Sequence, residues 1–166
     1  NMDPAQVVNK GVCYVPQTNN VFPTLTVQEN LEMGAYIRKD DFRPRLLEIY
    51  EMFPPLAEKK KQAAGELSGG QRQMVAMGKA LMLEPTILML DEPTAGLSPI
   101  YRNEIFQIIR QINASGVPIL MVEQNAKQSL AIANRGYVFV DGRNRTTGKG
   151  IDLLNDPEIA KMFLGG

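Results

Sequence analysis

Residues 67–71 read Leu67-Ser68-Gly69-Gly70-Gln71, and residues 87–92 read Ile87-Leu88-Met89-Leu90-Asp91-Glu92. The first stretch opens a helix expected over 71–83. A helix start presents unsatisfied amides and about half a positive charge, which suits an anion. Two glycines clear a path to the backbone for a phosphate, and the serine hydroxyl adds a hydrogen bond. The second stretch is a buried strand that ends in two carboxylates. In open parallel sheets the C-terminal tips of strands form the ligand-binding rim. Alone, a Ser-Gly-Gly start is an ordinary capped helix and an Asp-Glu pair an acidic turn. In one chain they point to phosphate chemistry, with Asp91 holding Mg2+ directly or through water. Glu92, pointing elsewhere, is placed to polarise an attacking water.

Composition narrows the field. At 166 residues, 44% of them apolar, the chain is one domain by length and can bury a useful core. Eighteen basic residues balance eighteen acidic ones, so charge asks for neither nucleic acid nor an acidic membrane surface. Histidine is absent, which removes Ser-His-Asp hydrolysis and histidine-ligated zinc. Acid–base work therefore falls to carboxylates, lysine, tyrosine or water. The single cysteine, Cys13, makes no internal disulfide and reads as a small buried apolar side chain in a reducing cytosol. No apolar run approaches ~18 residues, so no membrane span is expected. The opening Asn-Met-Asp-Pro-Ala-Gln does not read as a signal peptide.

Outward from the two stretches, the organisation changes along the chain. Gly11 to Pro16 predicts a short buried strand, followed by a polar loop from Gln17 to Asn20. Thr26-Val27-Gln28-Glu29 is a capping box that predicts a helix from Val27 to Ile37. Helical spacing of Leu46, Leu47, Ile49, Tyr50 and Phe53 predicts a second, stopped by Pro54-Pro55. The charge run Glu58 to Lys61 reads as a solvated helix face. In the second half, strands expected at 86–90, 118–122 and 137–140 alternate with helices at 99–113 and 126–133. That alternation argues for a parallel sheet covered by helices. Ser98-Pro99 and Asp156-Pro157-Glu158 are capped helix starts.

These motifs closely resemble the ATP-binding subunits of ABC transporters, over nearly the whole chain. Residues 67–71 resemble the LSGGQ signature, and 87–91 the Walker B strand. The resemblance implies Glu92 as the catalytic glutamate and a nucleotide on Ser68, Gly69, Gly70 and Gln71. Ala95-Gly96-Leu97-Ser98 stands at the D-loop, where the commoner pattern ends in aspartate. Tyr14-Val15-Pro16-Gln17 resembles the Q-loop, which places Gln17 near Mg2+, the attacking water and the membrane-domain contact. The implied fold is α/β, a partial P-loop NTPase (RecA-like) core with a parallel sheet plus the ABC helical subdomain. Residues 1–23 would supply a core strand and Q-loop, 24–80 the helical subdomain, and 81–166 the second part of the core with a C-terminal helix.

Phe22 to Leu31, Met33 to Tyr36, Val122 to Ala126 and the ending Phe163-Leu164-Gly165-Gly166 resemble the branched-chain amino-acid importers within that family. There Gln124 stands where most ABC subunits carry a switch histidine. Glutamine can hydrogen-bond a γ-phosphate without carrying its proton, so Gln124 positions and Glu92 remains the candidate base. The resemblance implies ATP and Mg2+ as ligands, a second ABC ATPase subunit and a transmembrane permease subunit as partners, and no nucleic acid. It implies a cytoplasmic protein, peripheral on the inner face of the plasma membrane. Phe22 reads equally as a permease contact and as a hydrophobic staple ahead of Thr26. Two rival readings are a non-catalytic interaction module of ABC fold and an ABC ATPase acting on DNA. The second rival usually needs a long coiled coil before the signature, and no heptads stand between Gln17 and Ser68.

The 166 residues contain no Gly-x-x-x-x-Gly-Lys-Ser/Thr loop. The nearest imitation, Gly142 to Gly150, is one residue too long, has glycine in place of the hydroxyl residue, and reads as a hairpin turn. The family's Walker A part is expected upstream of residue 1, as in a truncated product. A helix start is worth up to ~2 kcal/mol to an anion, whereas even a millimolar complex needs about 4 kcal/mol. The isolated chain is therefore expected to bind ATP poorly and hydrolyse it negligibly. Two copies bring two signatures and no phosphate loop, so a homodimer is not expected to complete a site.

Overall fold

The computed structural model describes residues 2–163, in two compact units, one running to Val122 and one beginning at Glu123. In the first, the elements are α1 (Pro4–Asn9), β1 (Val12–Val15), α2 (Val27–Gly34), α3 (Arg43–Met52) and α4 (Pro54–Glu58). They continue with α5 (Gly69–Leu81), β2 (Ile87–Asp91), α6 (Pro99–Ala114) and β3 (Ile119–Val122). The strands form a parallel sheet in the order β1-β2-β3, with Val12 opposite Ile87 and Leu88 opposite Ile119. The strand that carries the two carboxylates is thus the central one.

Alternation along these strands separates two faces. Cys13, Val15, Leu88 and Leu90 are buried, while Tyr14, Leu120 and Val122 are exposed on the other face. The helical part packs α2 on α5 around Leu31, Ile49, Leu56, Met74, Met77 and Leu81, all 2% exposed or less. Close approach here needs glycine: a Cβ on Gly34 would lie 2.1 Å from the Lys79 carbonyl oxygen. That contact coincides with the end of α2, which is shorter than the expected run to Ile37. Its last turn tightens, with the Ala35 amide donating to the Glu32 carbonyl at 2.9 Å.

Other boundaries also move. The proline pair at 54–55 ends α3 and at once starts α4, since proline suits a first helical turn. The charged stretch 58–61 is no helix face; only Glu58 is helical, and the chain then turns through Lys59–Lys61. Helix α1 was not expected, although Asp3, Pro4 and Gln6 form a capping box with proline at the first position. Ser98 precedes α6 but makes no side-chain cap hydrogen bond.

The second unit contains α7 (Ala126–Ile132), β4 (Gly136–Val140), β5 (Arg143–Gly148), α8 (Gly150–Leu154) and α9 (Pro157–Phe163). Its strands pair antiparallel as a hairpin turning at Asp141-Gly142, with Gly142 at φ +72°. The segment 137–140 therefore does not extend the parallel sheet. The stretch expected to be only a hairpin turn also supplies the return strand β5. Leu130, Leu153 and Ile159 form its core. Asp156 caps α9, its Oδ1 accepting from the Glu158 amide at 2.8 Å. Residues 164–166 of the importer-like ending lie outside the described residues.

Candidate nucleotide site

Strand β2 delivers Asp91 and Glu92 to the rim of the sheet, both half-buried. Glu92 adopts φ +44°, a left-handed backbone that a glutamate holds at a cost of order 1 kcal/mol or more. Its amide donates to the Val122 carbonyl at 2.8 Å, and its carbonyl accepts from Ala95 at 3.0 Å. The sheet and the following turn therefore enforce the strained conformation. Strain of this kind at a strand tip aims a side chain away from the pleat. The Gln17 side-chain amide donates to Glu92 Oε2 at 2.9 Å, so the exposed loop after β1 reaches the tip of β2.

Asp91 has a partner that sequence reasoning missed. The Tyr14 hydroxyl donates to Asp91 Oδ2 at 2.8 Å. That bond, then desolvation and the carboxylate charge, push the Tyr14 phenol above its ordinary value. Its pairing follows from the register, in which Tyr14 sits opposite Met89, two residues before Asp91 and on the same face. No sequence signal shows it before that register is known.

The second element singled out by the sequence is the start of α5. Ser68 is the cap: its hydroxyl accepts from the Gln71 amide and its amide donates to Gln71 Oε1, each at 3.3 Å. This reciprocal box uses the amides of Ser68 and Gln71 and leaves those of Gly69 and Gly70 for an outside acceptor. The two glycines differ. Gly69 is half-buried near Leu97, whereas Gly70 is buried and a Cβ there would lie 2.6 Å from a Tyr101 ring carbon. Gly70 is thus demanded by packing against α6, a reason beyond the clear path to phosphate expected from its sequence.

The loop between the two elements is held at several points. Asn20 donates to Gln73 Oε1 of α5 at 2.9 Å, and Lys79 of α5 donates to the Asn20 carbonyl at 2.6 Å. Asn30, fully buried on α2, donates to the Phe22 carbonyl at 2.9 Å and accepts from its amide at 2.7 Å. The Phe22 ring is 44% exposed and lies under the Lys79 ammonium, 4.8 Å from the ring centroid. Leu25, not Phe22, immediately precedes the Thr26 cap, so the staple position is not Phe22's. Gln124 is exposed in the second unit, its carbonyl accepting from the Ala126 amide at 2.8 Å at the entry to α7.

Among the described residues no cluster of three or more acidic or cysteine side chains could cage a metal. Mg2+ asks for less, since it keeps its waters and uses one or two protein oxygens beside phosphate oxygens. Asp91 and the side-chain oxygen of Gln17 are hard donors of that kind, so the residues fit the ion.

A parallel sheet with two carboxylates at the tip of its central strand, in one unit with a serine-capped and glycine-opened helix, is the layout of a nucleotide-binding α/β domain. A family model described as ABC transporter matches residues 1–95. The high-affinity branched-chain amino acid transport ATP-binding protein BraG of Pseudomonas aeruginosa is 44% identical over 96% of this chain and 69% of its own length. A probable branched-chain amino acid transport ATP-binding protein, LivF of Archaeoglobus fulgidus, is 42% identical over 93% of the chain. The chain spans 66% of LivF's length. Among solved structures, the ADP conformation of MJ1267, an ATP-binding cassette of an ABC transporter, superposes with a TM-score of 0.84. It is 27% identical, over the whole of this chain and 73% of that one. The chain belongs to the ABC transporter ATP-binding family.

Proposed function

We propose that the protein is the energy-coupling ATPase subunit of a transporter for branched-chain or other hydrophobic amino acids. The observation that carries this reading is the tip of β2. There Glu92 is held in a left-handed conformation beside Asp91, its carboxylate bonded to Gln17 at 2.9 Å. In this reading residues 1–23, 24–80 and 81–166 are parts of one ABC ATPase domain: core strand with Q-loop, helical subdomain, and second part of the core.

Ser68 and the Gly69 and Gly70 amides bind the terminal phosphates, with Gln71 completing the cap. Asp91 and Gln17 supply the oxygen ligands for Mg2+, which neutralises phosphate charge when bound. Glu92 accepts a proton from the attacking water, and Gln17, bonded to it, orients that carboxylate. Gln124 donates a hydrogen bond to the γ-phosphate without exchanging a proton. The nucleotide that meets Ser68 is gripped on its far side by the phosphate loop of another ATP-binding subunit. Among the described residues no helix is long and apolar enough to cross a membrane. In this reading the protein works against a permease subunit, through the Gln17–Thr26 loop, on the cytoplasmic face of the membrane.

The test is ATP-dependent association. This chain is mixed with an ABC ATP-binding subunit that carries a phosphate loop and is impaired in hydrolysis, and complex formation is followed by analytical ultracentrifugation. A complex that needs ATP and is lost in Ser68→Arg is the expected result. Association indifferent to ATP overturns the reading.

A further inference from the structure

The loop that carries Gln17 is not held by its own sequence. Within it, Asn20 donates to the Pro16 carbonyl at a long 3.3 Å. Its stronger bonds run to α5, to Gln73 Oε1 at 2.9 Å and from Lys79 at 2.6 Å. Gln73 and Lys79 lie nearly two turns apart on one helix, about 9 Å along the axis. Asn20 and Phe22 thus sit across two rungs of the helix whose first residue is capped by Ser68.

Both rungs are chemically costly. Gln73 is 7% exposed, and its side-chain nitrogen has no hydrogen-bond partner. An apolar residue of similar volume would fill that place without an orphaned donor. Lys79 is partly desolvated, which lowers its affinity for its own proton. Its ammonium is satisfied by a carbonyl and an aromatic face, and among the described residues no carboxylate pairs with it. Polar groups retained at such a cost mark sites set by something other than packing.

We infer that Gln73 and Lys79 are positioning residues that fasten the Gln17–Phe22 loop to the signature helix, so that Gln17 at Glu92 and Ser68 move as one piece. The geometry carries this: one loop is bonded to the tip of β2 by Gln17 and to α5 by Asn20, and α5 begins at the proposed phosphate-binding cap. A displacement of Ser68 along the axis of α5 is passed through Lys79 and Gln73 to the loop, and so to the Glu92 carboxylate. The role rests on the function proposed above, but the fastening itself does not.

The experiment is run on the 166-residue chain without nucleotide, so failure of the fastening is distinguishable from failure of the ATPase reading. Amide hydrogen exchange and the Gln17 side-chain amide resonances are compared in wild type, Lys79→Met, Lys79→Arg and Gln73→Leu. Lys79→Met keeps the aliphatic stem and removes the ammonium. It is expected to speed exchange over residues 17–22 at least about tenfold and to shift the Gln17 side-chain resonances, with α6 amides unchanged. Lys79→Arg restores both, and Gln73→Leu acts in the same direction. Unchanged exchange over 17–22 in Lys79→Met overturns the proposal. So does a rise shared equally by α6, which would make Lys79 a general stabiliser.

Discussion

Helices α2 and α5 begin with the same device and finish it differently. At α2, Thr26 is the cap and Glu29 the reciprocating residue, its carboxylate accepting from the Thr26 amide at 2.7 Å and hydroxyl at 2.8 Å. At α5, Ser68 is the cap and neutral Gln71 reciprocates, through bonds of 3.3 Å. A carboxylate at the third position fills the positive end of a helix from within. A glutamine satisfies the same amide and adds no charge. The positions between cap and partner also differ: Val27 and Gln28 at α2, Gly69 and Gly70 at α5. The start of α2 is closed electrostatically and sterically, whereas α5 is left short of negative charge. The start of α2 is also closed from outside, its Val27 and Gln28 amides donating to the Gln62 and Lys60 carbonyls at 2.9 and 3.0 Å.

The comparison breaks most visibly at Gly70. Gly70→Ala drives a methyl to 2.6 Å from the Tyr101 ring, and overpacking of this kind costs about 1–3 kcal/mol. A lower denaturant midpoint in urea unfolding checks it, with Gln28→Ala at the matching position of α2 expected to be nearly silent. Next in size is Gln71→Glu, which gives α5 the closed start of α2. Thermal stability should hold or rise, while ATP-dependent association weakens about tenfold. Titration of complex formation against ATP reads the second effect. Ser68→Ala removes a cap whose bonds are long, so a loss near 0.5 kcal/mol is expected, at the low end for caps. Thr26→Ala, with shorter bonds, should lose more in the same urea assay.

The smallest effect is a pH dependence. The Thr26 amide, then its hydroxyl, hold the Glu29 carboxyl below the usual carboxylate range. A depressed folded value means stabilisation that is present above the ordinary range and lost as pH falls through the folded value. The gap in unfolding midpoint between wild type and Glu29→Gln should therefore close below about pH 4. No such dependence is expected for wild type against Gln71→Ala.

The same contrast explains what sequence alone could reveal. The capping box at Thr26 was legible, because it rests on residues three apart; Ser68 was read only as a cap, with its helix placed two residues late, and the box at Asp3 and Gln6 was missed. The central strand was legible from its apolar run, and its parallel neighbours from the alternation of strands with helices. The antiparallel pairing of Gly136–Val140 was not, since a short apolar run is the same in either setting and Thr146-Thr147 lacks apolar alternation. Asp91, Glu92, Gln17 and Ser68 were legible as motif members, and the structure joins Gln17 to Glu92. Tyr14, Asn20, Gln73 and Lys79 were missed, because their partners lie 53 to 77 residues away in the chain. Contacts of that reach leave no local period. Gly70 carried a double meaning that only the neighbouring Tyr101 ring disclosed.

Cys13 offers a last consequence. It is the chain's one cysteine, 4% exposed on β1, with its thiol pushed up by burial. It also lines the cavity of about 320 Å³ bordered by Asn20, Phe22 and Lys79. The native protein therefore carries its own stopwatch: alkylation waits for that wall to part, and the waiting time clocks how often the crevice breathes.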